Sequence, residues 1–309
     1  MKLATFFGVG LTGWLGWRLL GPSPSPPGRG RQSRPIRIPG RTIFVGDDEM
    51  FVREVGPVDA PPLVLVHGWS LDGELTFYRI IPELAKDFRV IIPDLRNHGR
   101  SRWVRTGTEV EDIADDIAGI FCALGIQSAP VFGYSLGGMV VQALIHRHPG
   151  LVSYAVLGGT AARPVREHRG ITRIIFWLGR FLSRVSLHEM SVGTVSYLRK
   201  VGGLAPEHER WMYEGLMRKD GSLHYEIGNA VWRFDGRDWL KQWKTPVTQI
   251  IPTEDQLVDP AAQYELAGLL PAGTEVVELV GGRHESVITL ADEYVAVIRR
   301  VLGADHETR

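Results

Sequence analysis

The sequence contains a single cysteine, Cys122, among its 309 residues. One cysteine cannot form an intramolecular disulfide, which excludes a small disulfide-stabilised fold, and we expect Cys122 to be buried in the apolar helical stretch around it. The sequence also lacks an excess of charge, because 35 lysines and arginines balance 35 aspartates and glutamates. The absence of a basic excess argues against a nucleic-acid-binding protein.

Motifs that bind cofactors are missing as well. The sequence has no Gly-x-x-x-x-Gly-Lys phosphate-binding loop, no dinucleotide-binding glycine fingerprint and no cluster of cysteines and histidines with metal-ligand spacing. These patterns bring together the groups that hold phosphates and metal ions. The sequence therefore implies no cofactor and no metal.

Apolar segments typical of buried strands alternate with helical segments along most of the chain. The strand-like segments centre near Leu63, Val90, Val131, Val152, Val247 and Val276. This alternation is typical of a parallel sheet with helices on its faces. Two more strand-like segments, 42–45 and 51–55, flank an Asp47-Asp48 turn and are expected to be antiparallel. We therefore predict an α/β fold with a mostly parallel central sheet flanked by helices.

The most informative motif is Gly133-Tyr134-Ser135-Leu136-Gly137-Gly138, which joins a strand-like segment at 129–132 to a helical segment at 139–148. This arrangement is a nucleophile elbow, in which a sharp strand-to-helix turn makes the serine hydroxyl project. Small residues on either side of the serine allow so tight a turn. The following helix begins beneath the hydroxyl, and its N-terminal amides can stabilise negative charge on an attacked carbonyl oxygen. Ser135 is therefore the predicted nucleophile.

Two further motifs precede the elbow. His67-Gly68-Trp69 follows the apolar run 62–66, and Asp94-x-Arg96-x-His98-Gly99-x-Ser101 follows the strand-like segment 89–92. With the elbow, and in this order, they resemble the α/β-hydrolase fold family over residues 42–302. The backbone amides of Trp69 and Leu136 are then the expected oxyanion donors. The polar turn at 93–101 is expected to position the oxyanion loop through hydrogen bonds.

A serine nucleophile needs a base that is oriented by an acid. His284, between the strand-like segment 275–280 and a helical segment from 287, is the best placed of ten histidines. The resemblance implies that Asp255 is the acid, because it lies in the loop after the strand at 246–251. Glu254 and Asp259 are alternatives, although Asp259 precedes a proline and is more typical of a helix cap. Arg283 either lowers the pKa of the histidine or projects to solvent.

Residues 161–239 contain no strand-like segment and are rich in aromatic residues and methionine. We predict that they form a helical cap inserted into an α/β-hydrolase core made of residues 42–160 and 240–309. The aromatic and methionine side chains are interpreted mainly as the interior of the cap. The alternative is that they line an apolar acyl pocket where the cap meets the sheet.

Residues 1–41 are predicted to form an N-terminal hydrophobic segment and a linker rich in proline and arginine. The apolar stretch 3–20 is long enough to reach across a membrane if Arg18 snorkels. Five arginines on its C-terminal side favour a membrane-associated protein with a cytoplasmic catalytic domain. The alternatives are a cleaved signal peptide, which implies secretion, and a disordered or peripheral tail.

The sequence thus predicts a serine hydrolase that cleaves a carboxylic ester with a hydrophobic acyl group through an acyl-serine intermediate. The expected partner is a small-molecule or lipid-like ester. Within the family, the same triad also resembles cofactor-free haloperoxidases, C–C bond hydrolases and acyltransferases. Epoxide hydrolases and haloalkane dehalogenases use a carboxylate at the elbow, so Ser135 argues against both. A non-catalytic ligand-binding member of the fold is the alternative from another class.

Overall fold

A computed structural model describes residues 25–28, 30–164 and 187–303. Within these residues the strands are β1 Gly40–Val45, β2 Asp48–Val55, β3 Pro62–Val66, β4 Arg89–Pro93, β5 Ala129–Tyr134, β6 Val152–Gly158, β7 Val247–Pro252 and β8 Glu275–Leu279. They form one eight-stranded sheet in the order β1-β2-β4-β3-β5-β6-β7-β8. Strand β2 is antiparallel to both of its neighbours, β1 and β4, and all other neighbouring strands are parallel. The predicted strands and their pairing are therefore confirmed.

The helices whose bounds lie in the described residues are α1 Gly73–Phe77, α2 Ile81–Leu84, α3 Val110–Ala123, α4 Leu136–Arg147, α5 Glu209–Leu216, α6 Gly221–Arg233, α7 Arg237–Leu240, α8 Pro260–Leu269, α9 Ser286–Thr289 and α10 Ala291–Gly303. Residues 187–200 are also helical, and a short 3₁₀ helix spans Pro206–His208. The described part of the predicted cap is thus helical. The rest of it, residues 165–186, lies outside the described residues.

Two hydrophobic clusters cover the two faces of the sheet. One contains Val64 and Val131 of the central strands with the apolar side of α3, and the other contains Leu63 and Phe132 with α10. A strand that is buried on both faces needs apolar residues at successive positions, which explains the continuous apolar run in β3. Because β3, β5, β7 and β8 are parallel, the loops after their carboxyl ends meet at one edge of the sheet.

Cys122 differs from the prediction, because its side chain is exposed. It lies in α3 next to Phe121, which is fully buried. The helix presents Ile113, Ile117 and Phe121 to the core at intervals of four residues, and the next residue points away from that stripe. An apolar sequence environment was therefore a poor guide to the position of Cys122.

The N-terminal linker contacts the cap. The backbone amide of Gly28 donates to the Glu209 carboxylate (3.1 Å), and the amide of Ser33 donates to the Glu207 carbonyl (2.8 Å). Strand β1 begins at Gly40, two residues before the predicted boundary. The apolar stretch 3–20 lies outside the described residues. Among the described residues, no helix has both the length and the apolar composition needed to cross a membrane.

Candidate active site

Ser135 lies on the turn between β5 and α4. Its backbone has φ of 55° and ψ of −119°, a conformation that residues other than glycine rarely adopt. The chain can turn so sharply because its flanking glycines have no side chains. A Cβ atom on Gly133 would lie 2.6 Å from the Gly137 carbonyl oxygen, and one on Gly137 would overlap the Val66 carbonyl. The backbone therefore has the geometry of the predicted elbow.

Ser135, His284 and Asp255 form a continuous hydrogen-bonded chain. His284 Nε2 lies 3.0 Å from Ser135 Oγ, and His284 Nδ1 lies 2.8 Å from Asp255 Oδ2. The Asp255 side chain is fully buried, whereas 19% of the His284 side chain is exposed. Three loops that are far apart in the sequence thus bring together the residues predicted as nucleophile, base and acid.

The Asp255 carboxylate accepts hydrogen bonds on both oxygens. Its Oδ1 atom accepts from the amides of Leu257 and Val258, each at 2.9 Å. Its Oδ2 atom accepts from Gln263 Nε2 (3.1 Å) in addition to His284. These hydrogen bonds fix the orientation of the carboxylate. Sequence analysis did not identify Gln263, although a glutamine within the apolar pattern of α8 was a usable signal.

The alternative acids have other partners. Asp259 is the N-cap of α8, where its side chain accepts from the Ala261 amide at 2.9 Å. Glu254 is exposed and lies 3.9 Å from the Arg283 guanidinium, which is itself 44% exposed. Arg283 therefore projects to the surface beside Glu254, which matches the second of its two predicted roles.

The loop after β3 lies against Ser135. A Cβ atom on Gly68 would lie 3.7 Å from Ser135 Oγ, and Trp69 and Leu136 both line the cavity that contains this hydroxyl. Leu136 is the first residue of α4, where backbone amides have no partner within the helix. The two predicted oxyanion residues thus line the same cavity as Ser135.

His67 and the turn after β4 hold this loop. The His67 ring donates from Nδ1 to the Gly68 carbonyl (2.7 Å) and accepts at Nε2 from the Leu95 amide (3.0 Å). Burial lowers the pKa of His67 to about 4, so that the ring is neutral and has one donor and one acceptor. The 93–101 turn is therefore joined to this loop by a hydrogen bond from Leu95.

Behind His284, three buried hydroxyl groups form a second network. The Tyr134 hydroxyl donates a hydrogen bond to the backbone carbonyl of His284 and lies 3.4 Å from Ser286 Oγ. Ser286 Oγ lies 2.9 Å from the Tyr294 hydroxyl. Burial raises the pKa of both tyrosines, so they remain protonated. Tyr134 therefore connects the elbow to the histidine loop, a role that sequence analysis missed.

A cavity of about 870 Å³ opens over Ser135 between the cap and the sheet. Its walls on the cap side are mostly apolar and include Leu187, Met190, Tyr197, Leu216, Lys219, His224, Tyr225 and Trp232. Two other large side chains of residues 161–239, Trp211 and Met212, are instead buried in the core. These side chains are therefore divided between the hydrophobic core and the wall of the cavity.

The mostly parallel sheet, the serine on a strand-to-helix turn and the Ser-His-Asp chain define an α/β hydrolase. A family model for the alpha/beta hydrolase fold matches residues 61–184. The chain is 33% identical over 260 residues to a non-heme haloperoxidase of Rhodococcus erythropolis, which covers 79% of this chain and 92% of that relative. The chain belongs to the α/β-hydrolase fold family.

Two further comparisons agree with this assignment. A bifunctional esterase/perhydrolase of Acinetobacter calcoaceticus is 28% identical over 231 residues, covering 71% of this chain and 82% of the relative. The crystal structure of the enol-lactonase from Burkholderia xenovorans LB400 is similar with a TM-score of 0.74 at 24% identity, covering 85% of this chain and 100% of the other. The similarity to the lactonase concerns the fold alone.

Proposed function

We propose that the protein is a serine hydrolase that cleaves a carboxylic ester with a hydrophobic acyl group. The observation on which this proposal rests is the chain of two hydrogen bonds from Ser135 through His284 to Asp255. A serine hydroxyl is a weak nucleophile until an adjacent base accepts its proton, and this geometry provides such a base. The mostly apolar cavity above Ser135 has room for an acyl chain.

In the proposed reaction, Ser135 Oγ attacks the ester carbonyl carbon while His284 Nε2 accepts the hydroxyl proton. The amides of Trp69 and Leu136 stabilise the oxyanion, and Asp255 stabilises the imidazolium. The tetrahedral intermediate expels the alcohol, which takes the proton from His284. A water molecule, deprotonated by His284, then attacks the acyl-serine and releases the acid.

The names of two relatives support a second candidate activity on the same triad. One relative is called a bifunctional esterase/perhydrolase and another a non-heme haloperoxidase. If hydrogen peroxide replaces water in the second step, it attacks the acyl-serine and the products are a peracid and free Ser135. C–C bond hydrolysis and acyl transfer also use such a nucleophile. C–C bond hydrolysis differs from ester hydrolysis in the bond that is cleaved, and acyl transfer differs in the acceptor that replaces water in the second step.

A fluorophosphonate probe tests whether Ser135 is a nucleophile. We expect the purified full-length protein to be labelled once, and we expect Ser135→Ala to abolish both labelling and turnover, because triad substitutions cost roughly 10⁴- to 10⁶-fold in rate. Methyl esters of increasing acyl length then define the acyl preference. Folded protein that resists the probe would instead be the non-catalytic ligand-binding alternative.

We also propose that residues 3–20 associate with a membrane and keep the catalytic domain on its cytoplasmic side. The support comes from the sequence, in which an apolar stretch with Arg18 as its one charged residue precedes a linker with five arginines. Secretion after signal cleavage is the alternative. Attachment to a membrane would bring the cavity within reach of esters dissolved in lipid.

A further inference from the structure

Lys219 lines the same cavity as Ser135 and His284. It lies in the short connection between α5 and α6, so the cap supplies it. Its ammonium donates a hydrogen bond to the Ser70 carbonyl at 2.7 Å. Ser70 directly follows Trp69, one of the two proposed oxyanion residues. The charge of Lys219 is therefore held beside the loop that faces the reacting carbonyl.

No carboxylate in the described part of the chain forms an ion pair with Lys219. Among the described residues that line the cavity, the other side chain with a permanent positive charge is Arg163, which is paired with Glu265 at 3.2 Å. An ammonium group has three donors, and the contact with Ser70 occupies one of them. Lys219 thus presents a positive charge with unused donors at the wall of a mostly apolar cavity.

The surroundings of Lys219 do not neutralise it by contact. Asp72 attracts the ammonium at longer range, but its carboxylate caps α1 through the Leu75 amide (2.9 Å) and lies 3.9 Å from Arg53. His98 and His224 are neutral, because burial lowers the pKa of each well below its ordinary value. Burial lowers the pKa of Lys219 to about 8, so the side chain is mainly protonated at pH 7.

A buried or half-buried charge is costly unless an opposite charge accompanies it. We infer that Lys219 is an anion subsite of the active-site cavity, and that the preferred substrate is an ester with a carboxylate on its apolar chain. This inference rests on the proposed ester hydrolysis and adds the substrate class. The carboxylate would accept a charge-assisted hydrogen bond from the ammonium, which is stronger than a hydrogen bond between neutral groups.

Methyl hexanoate and monomethyl adipate provide a matched test. Their acyl chains have the same length, and they differ in whether the chain ends in a methyl group or a carboxylate. Without a cation, an apolar cavity would favour methyl hexanoate, because entry of the carboxylate costs desolvation. We expect the full-length enzyme to have the higher kcat/KM for monomethyl adipate, with the preference declining above pH 8 as Lys219 loses its proton.

Lys219→Met removes the charge and preserves most of the side-chain volume. We expect it to lower the ratio of kcat/KM for monomethyl adipate to kcat/KM for methyl hexanoate roughly 10- to 100-fold, because a hydrogen bond to a charged group is lost. Lys219→Arg should retain the preference for monomethyl adipate. Lys241→Met, at an exposed position outside the cavity, is the control and should leave the ratio unchanged. An equal loss with both esters would assign Lys219 only to holding Ser70, and would overturn the inference.

Measuring how the two esters bind to the Ser135→Ala protein tests the subsite independently of catalysis. Calorimetric titration should give tighter binding of monomethyl adipate than of methyl hexanoate, and Ser135→Ala/Lys219→Met should lose this difference. If the wild-type protein hydrolyses neither ester but this difference is found, the subsite stands and the proposed hydrolysis fails. If hydrolysis occurs and neither the ratio nor the affinity depends on Lys219, the subsite fails and the hydrolysis stands.

Discussion

The Tyr134 hydroxyl donates a hydrogen bond to the backbone carbonyl of His284, although the two residues are 150 positions apart in the sequence. Tyr134 immediately precedes the proposed nucleophile, so one buried side chain joins the elbow to the loop of the proposed base. The distance between Ser135 and His284 therefore depends on a contact outside the triad. Positioning of this kind affects turnover more than substrate affinity, because small displacements of reacting groups have large effects on rate.

Tyr134→Phe should lower kcat roughly tenfold with little change in KM, since the ring is retained and only the link to His284 is lost. The matched control is Tyr154→Phe, which removes a hydroxyl that lies 2.8 Å from Thr248 Oγ1, between β6 and β7. Steady-state kinetics on one ester, with urea unfolding of each variant, make the comparison. A similar loss of kcat in both variants would mean that general destabilisation explains the effect.

Asp255→Asn should reduce kcat by several orders of magnitude, because an amide can neither balance the imidazolium nor hold the required tautomer. Asp259→Asn is the control, since asparagine is also a good N-cap for α8. Its turnover should remain close to that of the wild type. If initial-rate measurements showed a larger loss for Asp259→Asn than for Asp255→Asn, Asp259 would be the acid.

Acid should destabilise the protein partly through its buried histidines. Burial lowers the pKa of His67 to about 4 and those of His98 and His224 well below the ordinary value. As the pH falls below about 6.5, these residues bind protons in the unfolded chain but not in the folded one. Each should therefore cost up to about 1.4 kcal/mol of stability per pH unit until its own folded-state pKa is reached.

Urea unfolding at pH 7.5 and pH 5.5 measures this loss. His224→Gln should lose less stability between the two pH values than the wild type, because it lacks one of the buried rings. Carboxylates that titrate in the same range contribute equally to both proteins and cancel in the comparison. An identical loss in both would contradict the assignment of a neutral buried His224.

Deleting residues 1–24 tests the proposed membrane segment and preserves the described contacts of Gly28 and Ser33 with the cap. Full-length protein should remain with membranes after a carbonate wash. The shortened protein should be released with an unchanged kcat on a water-soluble ester. A Leu11→Arg/Leu15→Arg variant of full length should also be released, because arginine is costly in the bilayer interior. Full-length protein that is already soluble would favour a tail or a cleaved signal.

Much of the framework was predictable because it depends on local pattern. The apolar run of β3 and the glycines around Ser135 indicate a buried strand and a tight turn without knowledge of the rest of the chain. The roles of Tyr134 and Lys219 were not predictable, since each depends on a partner about 150 positions away. Gln263 differs, because its partner Asp255 is only eight positions away and its place in the apolar pattern of α8 was a usable signal. Cys122 shows the limit within a single helix, where one position separates a buried residue from an exposed one.

The contacts of Gly28 and Ser33 have a mechanical consequence. Both residues hydrogen-bond to the cap, at Glu209 and Glu207, whereas the sheet begins only at Gly40. Tension applied to the chain before Gly28 is therefore transmitted to the cap before it reaches the sheet. If the N-terminal segment is fixed in a membrane, movement of the enzyme relative to that membrane would pull first on the cap.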